Sequence, residues 1–100
     1  MITIVAKLKV KAGSEAAFQA EMEKMIAHVK ANEPGTVTYM LYRAAGDPTQ
    51  FVVYENYTDA EAMSAHSSSE PMMQFFTAVG GLFDGRPEIG VYEEVGGKRG

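Results

Sequence analysis

The sequence predicts an α+β fold: an antiparallel sheet of four strands with helices packed on one of its faces. Two kinds of periodicity support this prediction. Some stretches alternate apolar and polar residues one by one, as in a strand with one buried face. Others repeat apolar residues every three or four positions, as in an amphipathic helix. They occur in the order strand, helix, strand, strand, helix, strand, and 100 residues suffice for one such domain.

The N-terminal third predicts a strand and a long helix. The strand covers residues 2–10, where every second side chain is apolar: Ile2, Ile4, Ala6, Leu8 and Val10. Ser14 is expected to cap the helix, which runs to about Ala31. Its apolar stripe has helical spacing and consists of Phe18, Met22, Met25, Ile26 and Val29. The helix is expected to end at Asn32-Glu33-Pro34-Gly35, because proline cannot continue it.

The middle of the chain predicts a β-hairpin. Thr36 to Ala44 and Gln50 to Tyr57 are rich in β-branched and aromatic residues, and the turn residues Gly46-Asp47-Pro48-Thr49 separate them. Two strands joined by so short a turn are expected to pair antiparallel. Alternation along the second of them places four side chains on one face: Phe51, Val53, Glu55 and Tyr57.

The second helical region is expected to consist of two pieces. Thr58 or Asp59 caps a short helix that ends at His66, because either side chain can accept a free backbone N–H. The serines at 67–69 interrupt it, and Ser69 then caps a second piece. The apolar side of that piece is formed by Met72, Phe75, Phe76, Val79, Leu82 and Phe83.

The last strand, Glu88 to Val95, completes a split βαβ arrangement, the ferredoxin-like β-α-β-β-α-β fold. Right-handed crossovers place both helical regions on one face of the antiparallel four-stranded sheet. We expect residues 1–96 to form this domain and residues 97–100 to be a frayed tail. The other sheet face is too apolar to remain in water, so we expect a homodimer. That face carries Val5, Val52, Tyr54 and Tyr92.

Composition narrows the range of functions. The chain has no cysteine, which excludes disulfides and a thiol nucleophile. Its net charge of −4 and scattered lysines argue against a nucleic-acid partner. The apolar run from Met1 to Lys11 is too short, and too interrupted by lysine, for a signal peptide or membrane span. We therefore expect a cytoplasmic protein that binds neither nucleic acid nor membrane.

Reactive side chains concentrate at the junction between the third strand and the short helix. His66 can exchange a proton near neutral pH, since the usual pKa of histidine is about 6.5. It is the candidate proton acceptor, and a structural imidazole bonded to a carbonyl or to Glu55 is the alternative. Glu55 could orient His66, accept backbone N–H groups or pair with Arg43. Tyr57 and Tyr39 could hydrogen-bond a substrate oxygen, or only pack locally.

Methionine and phenylalanine cluster in a way that is typical of an adaptable apolar cavity, and equally of a small core. The candidates for substrate contact are Tyr39, Met63, Met72, Phe75 and Phe76. His28 is expected at the surface. The sequence contains no hydrolase triad spacing, no phosphate-binding glycine loop and no metal-ligand cluster, so we expect neither a cofactor nor a metal.

Together these residues resemble the signature of the antibiotic biosynthesis monooxygenase family. The matching pattern is Glu55-x-Tyr57-x-Asp59-x-x-Ala62-x-x-x-His66-x-x-Ser69. Three flanking segments agree with it: Glu33-Pro34-Gly35, Asp47-Pro48 and Gly85-Arg86-Pro87. The resemblance therefore spans nearly the whole chain.

The resemblance implies a dimeric α/β barrel of two ferredoxin-like protomers, each with a ligand cavity between sheet and helices. Members of the family include cofactor-independent quinol and anthrone-type oxygenases, haem-degrading enzymes and an isomerase of a phosphorylated sugar. Three positions depart from its pattern. Pro71 stands where many members have a second histidine, Tyr57 where the oxygenases commonly have tryptophan, and Val53 where the anthrone enzymes have asparagine.

The function that we expect is a cofactor-independent monooxygenase acting on a small aromatic or quinol-type substrate. In that scheme His66 takes the proton, Tyr57 bonds the substrate oxygen and Glu55 orients the histidine. Two alternatives remain open: a non-catalytic dimeric binding protein for a small molecule, and an isomerase of a phosphorylated metabolite. The isomerase requires cationic side chains in the cavity, which would be Lys7, Lys9 and Arg43.

Overall fold

The computed structural model describes all 100 residues, which form four strands and three helices. In chain order these are β1 (Ile2–Lys9), α1 (Glu15–Asn32), β2 (Thr36–Arg43), β3 (Gln50–Tyr57), α2 (Ala60–Ser67), α3 (Glu70–Val79) and β4 (Glu88–Glu93). A short 3₁₀ turn, Gly80–Leu82, follows α3. All neighbouring strands are antiparallel, in the order β2-β3-β1-β4. The ferredoxin-like prediction is confirmed, and the second helical region is split as expected.

The strand register aligns side chains into rows that cross the whole sheet. Tyr39 on β2 lies opposite Glu55 on β3, Glu55 opposite Ile4 on β1, and Ile4 opposite Val91 on β4. A second row runs parallel to it and contains Leu41, Val53, Ala6 and Ile89. Both rows face the helices, because every second residue of a strand points to the same side.

The core lies between this sheet face and helices α1 and α3. The ring of Phe18 on α1 packs against Phe51 at 4.9 Å and against Phe75 at 6.1 Å between centroids. The buried core cluster consists of Ala6, Leu8, Val10, Phe18, Met22, Met25, Val29, Phe51, Val53, Phe75 and Val79. Four of the five predicted α1 positions are in this cluster, and Ile26 packs against its edge.

The side chains predicted from the sequence to cap α2 and α3 do so, but the one predicted to cap α1 does not. Asp59 caps α2 by accepting the Ala62 N–H at 2.8 Å, and Ser69 caps α3 by accepting the Met72 N–H at 3.3 Å. The prediction that Ser14 caps α1 is wrong, because its side chain makes no capping hydrogen bond. Its backbone, with φ −100° and ψ 3°, lacks the extended conformation that an N-cap side chain needs.

Strand ends differ slightly from the predicted ones. β1 ends at Lys9, and Val10 forms an isolated bridge with Phe83 beyond it. β4 ends at Glu93 rather than Val95. Residues 94–100 have no regular secondary structure.

The sheet face away from the helices carries a broad apolar surface. Val5, Val52 and Tyr54 are partly buried there, whereas Tyr42 and Tyr92 are about half exposed. Lys7 and Lys9 also lie on this face and are exposed. None of the three helices combines the length and the hydropathy that crossing a bilayer requires.

Candidate functional site

A cavity of about 220 Å³ lies between the helix-facing side of the sheet and the helices. Its lining is formed by Ile4, Ala6, Leu8, Met22, Tyr39, Val53, Glu55, His66, Ser67, Met72, Phe75, Phe76 and Ile89. Ten of these 13 residues are hydrophobic, and none is a lysine or arginine. Its ionisable side chains, Tyr39, Glu55 and His66, come from neighbouring elements, so the cavity is apolar with one polar end.

Helix α2 holds His66 at this polar end. The Asp59 cap fixes the start of the helix, and Gly35 allows it to approach β2 closely. A Cβ atom on Gly35 would come within 2.7 Å of the Ala62 Cβ, so only glycine fits there. At the other end the Ser69 hydroxyl donates to the His66 carbonyl at 2.8 Å. The His66 side chain is consequently almost completely buried, at 1% exposure.

Glu33, just after the end of α1, orients the imidazole. The Nδ1 atom of His66 lies 2.8 Å from Glu33 Oε1, and the Thr36 hydroxyl donates to the same oxygen at 2.8 Å. A carboxylate can only accept, so in the neutral imidazole Nδ1 carries the hydrogen and Nε2 presents a lone pair. Nε2 is buried and has no hydrogen-bond partner within the chain. Glu55 Oε1, at 3.9 Å, is too far to provide one.

Glu55 and Tyr57 form a second buried pair beside the histidine. The Tyr57 hydroxyl donates to Glu55 Oε1 in a short hydrogen bond. Burial raises the pKa of Glu55, and Glu33 adds to this, whereas Tyr57 and His66 act in the opposite direction. Burial, together with the neighbouring Glu55, raises the pKa of the Tyr57 hydroxyl. Tyr57 thus stays a neutral phenol and donates a hydrogen bond to Glu55.

Tyr39 is the phenol that lines the cavity. The centroids of the Tyr39 and His66 rings are 5.1 Å apart. Tyr39 lies on β2, directly opposite Glu55 on β3. Burial raises the pKa of its hydroxyl, and the Glu55 and Glu33 carboxylates contribute to the same effect. Tyr39 therefore remains a neutral phenol, and its ring lies beside the imidazole ring.

Most of the predicted site residues meet at this cavity. Six of the eight line it: Tyr39, Glu55, His66, Met72, Phe75 and Phe76. Tyr57 does not, because it is completely buried behind Glu55. Met63 also lies outside the lining, one helical turn before His66.

Two further residues, Glu33 and His28, lie near the polar end of the cavity and were not predicted as functional. Glu33 could have been noticed, since a carboxylate just past a helix C-terminus opposes the helix dipole and needs another reason to be there. His28 was expected at the surface, but its side chain is only 25% exposed. Its Nε2 lies 3.1 Å from Glu33 Oε2, outside hydrogen-bond geometry. Sequence periodicity offers no sign of this contact.

Arg43, which the sequence offered as an alternative partner of Glu55, forms no ion pair with it. Arg43 donates to Gln19 at 2.9 Å and lies over the Phe51 ring, 5.5 Å from its centroid. No group of three or more His, Cys, Asp or Glu side chains is arranged to hold a metal ion.

The fold and this cavity define a ferredoxin-like domain with an apolar cavity between its sheet and helices. Comparison with known proteins identifies its family. The sequence model described as "Antibiotic biosynthesis monooxygenase" matches residues 1–78. The chain belongs to this family. A curated relative, "Putative monooxygenase YcnE" of Bacillus subtilis, is 31% identical over 75 residues, which are 75% of this chain and 78% of the relative.

Solved structures of similar proteins have the same fold. One from Caulobacter crescentus CB15, described as "a putative antibiotic biosynthesis monooxygenase", is 32% identical with a TM-score of 0.91, covering 95% of this chain and 90% of that one. Rv0793 from Mycobacterium tuberculosis has a TM-score of 0.89 at 21% identity, over 98% of both chains. At that identity the likeness concerns the fold alone.

Proposed function

We propose that this protein is a cofactor-independent monooxygenase that acts on a small aromatic or quinol-type substrate. The observation that carries the proposal is the free Nε2 atom of His66 at the polar end of an apolar cavity. A buried polar atom without a partner is costly unless a ligand supplies one. Family membership, and the name of the Bacillus subtilis relative, support the reaction class.

The proposed reaction begins with proton removal. A substrate hydroxyl within about 2.6–3.2 Å of Nε2 gives its proton to His66. The carboxylate of Glu33 stabilises the imidazolium that forms, as the acidic residue of a catalytic triad does. The resulting electron-rich phenolate passes electrons to dioxygen directly. Apolar walls exclude water from the reacting anion.

The atoms and electrons balance without an external reductant. One oxygen atom of dioxygen becomes bonded to a substrate carbon, and the other leaves as water. The substrate supplies all four electrons and both hydrogens of that water, one of them returned by His66. His66 therefore acts first as general base and then as general acid.

The other residues position or shield the substrate. Tyr39 can donate a hydrogen bond to a substrate oxygen, the part that sequence assigned to Tyr57. Glu33 orients His66, the part that sequence assigned to Glu55. Glu55 provides a second carboxylate near the imidazolium, 3.9 Å from Nε2, and Tyr57 holds it in place.

Cavity volume limits the substrate to a small ring system. An apolar cavity of about 150 Å³ accommodates benzene, so 220 Å³ suits one ring or two fused rings. We therefore expect single-ring and bicyclic quinols to be better substrates than tricyclic anthrones.

The isomerase alternative requires cations that the cavity lacks. Lys7 and Lys9 are exposed on the opposite sheet face, and Arg43 is bonded to Gln19. A purely binding role remains an outcome of the test below.

Oxygen uptake with hydroquinones, naphthoquinols and anthrones tests the proposal, with a redox-inactive phenol as control. With isotopically labelled dioxygen, each molecule of the oxidised organic product should carry one labelled oxygen atom. His66→Gln should fold and lose about 10²–10⁴-fold in turnover, because glutamine cannot take the proton. Phenol binding without oxygen uptake would favour a binding protein, and full activity in His66→Gln would exclude His66 as the base.

We also propose that the protein is a homodimer. The apolar sheet face opposite the helices supports this, because several apolar side chains that are exposed next to one another are typical of an interface.

A further inference from the structure

The cavity is open on the side of β4. Ile89 and Val91 point to the helix side of the sheet, yet they are 60% and 61% exposed, because the helices cover little of β4. Phe76 on α3 is 45% exposed and lines the cavity together with Ile89. We call the surface formed by Phe76, Ile89 and Val91 the β4 slot.

The β4 slot continues the floor of the cavity without interruption. Ile4 and Ala6 line the cavity, and on the neighbouring strand they lie opposite Val91 and Ile89. Strands are spaced by about 4.8 Å, so Glu55 at the polar end and Val91 at the slot are roughly 10 Å apart. A single substrate ring whose hydroxyl is hydrogen-bonded to His66 would fill most of that distance. A substituent on the far side of the ring would then lie over Ile89 and Val91.

We infer that the β4 slot binds an aliphatic substituent of the substrate, so that the substrate is an alkyl- or alkenyl-substituted phenol or quinol. This inference rests on the proposed function, because it takes the ring to be anchored at His66. Its support is continuity: the exposed apolar slot adjoins the apolar cavity across one row of side chains. Three large apolar side chains stay exposed at the mouth of the cavity, where an aliphatic chain would cover them.

Calorimetric titration with 4-alkylphenols of increasing chain length tests the slot without requiring turnover. In the wild-type protein, Kd should fall about two- to fourfold for each added methylene, the range for a partly to fully buried CH₂ group. The gain should stop once the chain extends past the slot. Val91→Thr, at a position outside the cavity lining, should flatten this dependence while changing the Kd of unsubstituted phenol by less than about twofold. Ile89→Thr, at a position in the lining, should flatten it as well.

Val37→Thr is the matched control. Val37 is a valine on the other edge strand, β2, at 52% exposure and outside the cavity lining, so its substitution should leave the chain-length dependence unchanged. A wild-type Kd that is independent of chain length would overturn the inference, and so would equal flattening by Val37→Thr. Oxygen uptake is measured separately. Uptake without chain-length dependence contradicts the slot alone, whereas chain-length dependence without uptake contradicts the monooxygenase alone.

Discussion

Glu33 orients the His66 imidazole from a different element of the fold. It lies just beyond α1, where the helix dipole disfavours a carboxylate, yet it accepts from both His66 and Thr36. The position is explained if the carboxylate serves the imidazole rather than the helix.

The substitution Glu33→Gln should lower turnover about 10- to 10²-fold. The amide oxygen can still accept from Nδ1, but the charge that stabilises the imidazolium is lost, and a charged hydrogen bond is worth about 1.5–3 kcal/mol. Steady-state oxygen uptake measures this effect, with Glu21→Gln on the outside of α1 as the control. Unchanged kcat in Glu33→Gln would mean that Glu33 does not support the base.

Glu55 should make stability depend on pH. Because its pKa is raised in the folded protein, its protonated form contributes stability fully below the unfolded value of about 4.5. That contribution is lost as the pH rises through the folded pKa. Glu55→Gln stays neutral, so its free energy of unfolding should exceed that of the wild type by more at pH 8 than at pH 4. Urea unfolding at both pH values measures this difference, and an equal difference at pH 4 and pH 8 would contradict it.

Tyr57→Phe provides the complementary measurement. The Tyr57 hydroxyl lowers the pKa of Glu55, so its removal should steepen the loss of stability with pH. A shallower profile would mean that the Tyr57 hydroxyl does not favour the ionised form of Glu55.

At the scale of elements, the close contact between α2 and Gly35 determines where His66 lies. Thr58, before α2, donates its N–H to the Gly35 carbonyl at 3.0 Å, and the helix then passes directly over that glycine. A small displacement of α2 would move the imidazole away from Glu33, because the two groups belong to different elements.

The substitution Gly35→Ala should destabilise the protein by about 1–3 kcal/mol, the usual range for overpacking. The new methyl group would meet Ala62 Cβ at 2.7 Å and push α2 outward. The double variant Gly35→Ala/Ala62→Gly removes that clash and should recover part of the stability and of the activity. Thermal unfolding and oxygen uptake measure both. If Ala62→Gly instead lowers the stability further by about 1 kcal/mol, the usual cost of glycine in a helix, the contact with Ala62 does not cause the destabilisation by Gly35→Ala.

At the scale of the whole molecule, the proposed dimer interface is the sheet face opposite the helices. Its central residues are partly buried, and Met40, Tyr42 and Tyr92 are about half exposed. The cavity and the β4 slot use the other face, so a dimer through this surface would leave both accessible.

Sedimentation at micromolar concentration should give about twice the mass of one chain. Tyr42→Glu and Tyr92→Glu should shift the protein toward the monomer, because each places a charge in an apolar interface. Met73→Glu, on an exposed position of α3, should leave the mass unchanged. A wild-type protein that is strictly monomeric under these conditions would contradict the dimer.

The sequence by itself determined the order of the elements, the buried face of each strand and the split of the second helical region. These are local properties: alternation, helical spacing and capping side chains act over a few residues. The caps at Asp59 and Ser69 followed from residue type, and only Ser14 failed, because its backbone takes a different conformation. His66 and Glu55 at the cavity also followed, since strand alternation and helix spacing aim them.

Only the tertiary structure decided which polar groups meet. Glu33 reaches His66 because the end of α1 docks beside α2, a contact that no local pattern encodes. The two tyrosines differ for the same reason: Tyr57 is completely buried, whereas Tyr39 lines the cavity. Contacts between distant elements depend on how helices pack on the sheet, which is set by the sum of many apolar contacts rather than by any one spacing.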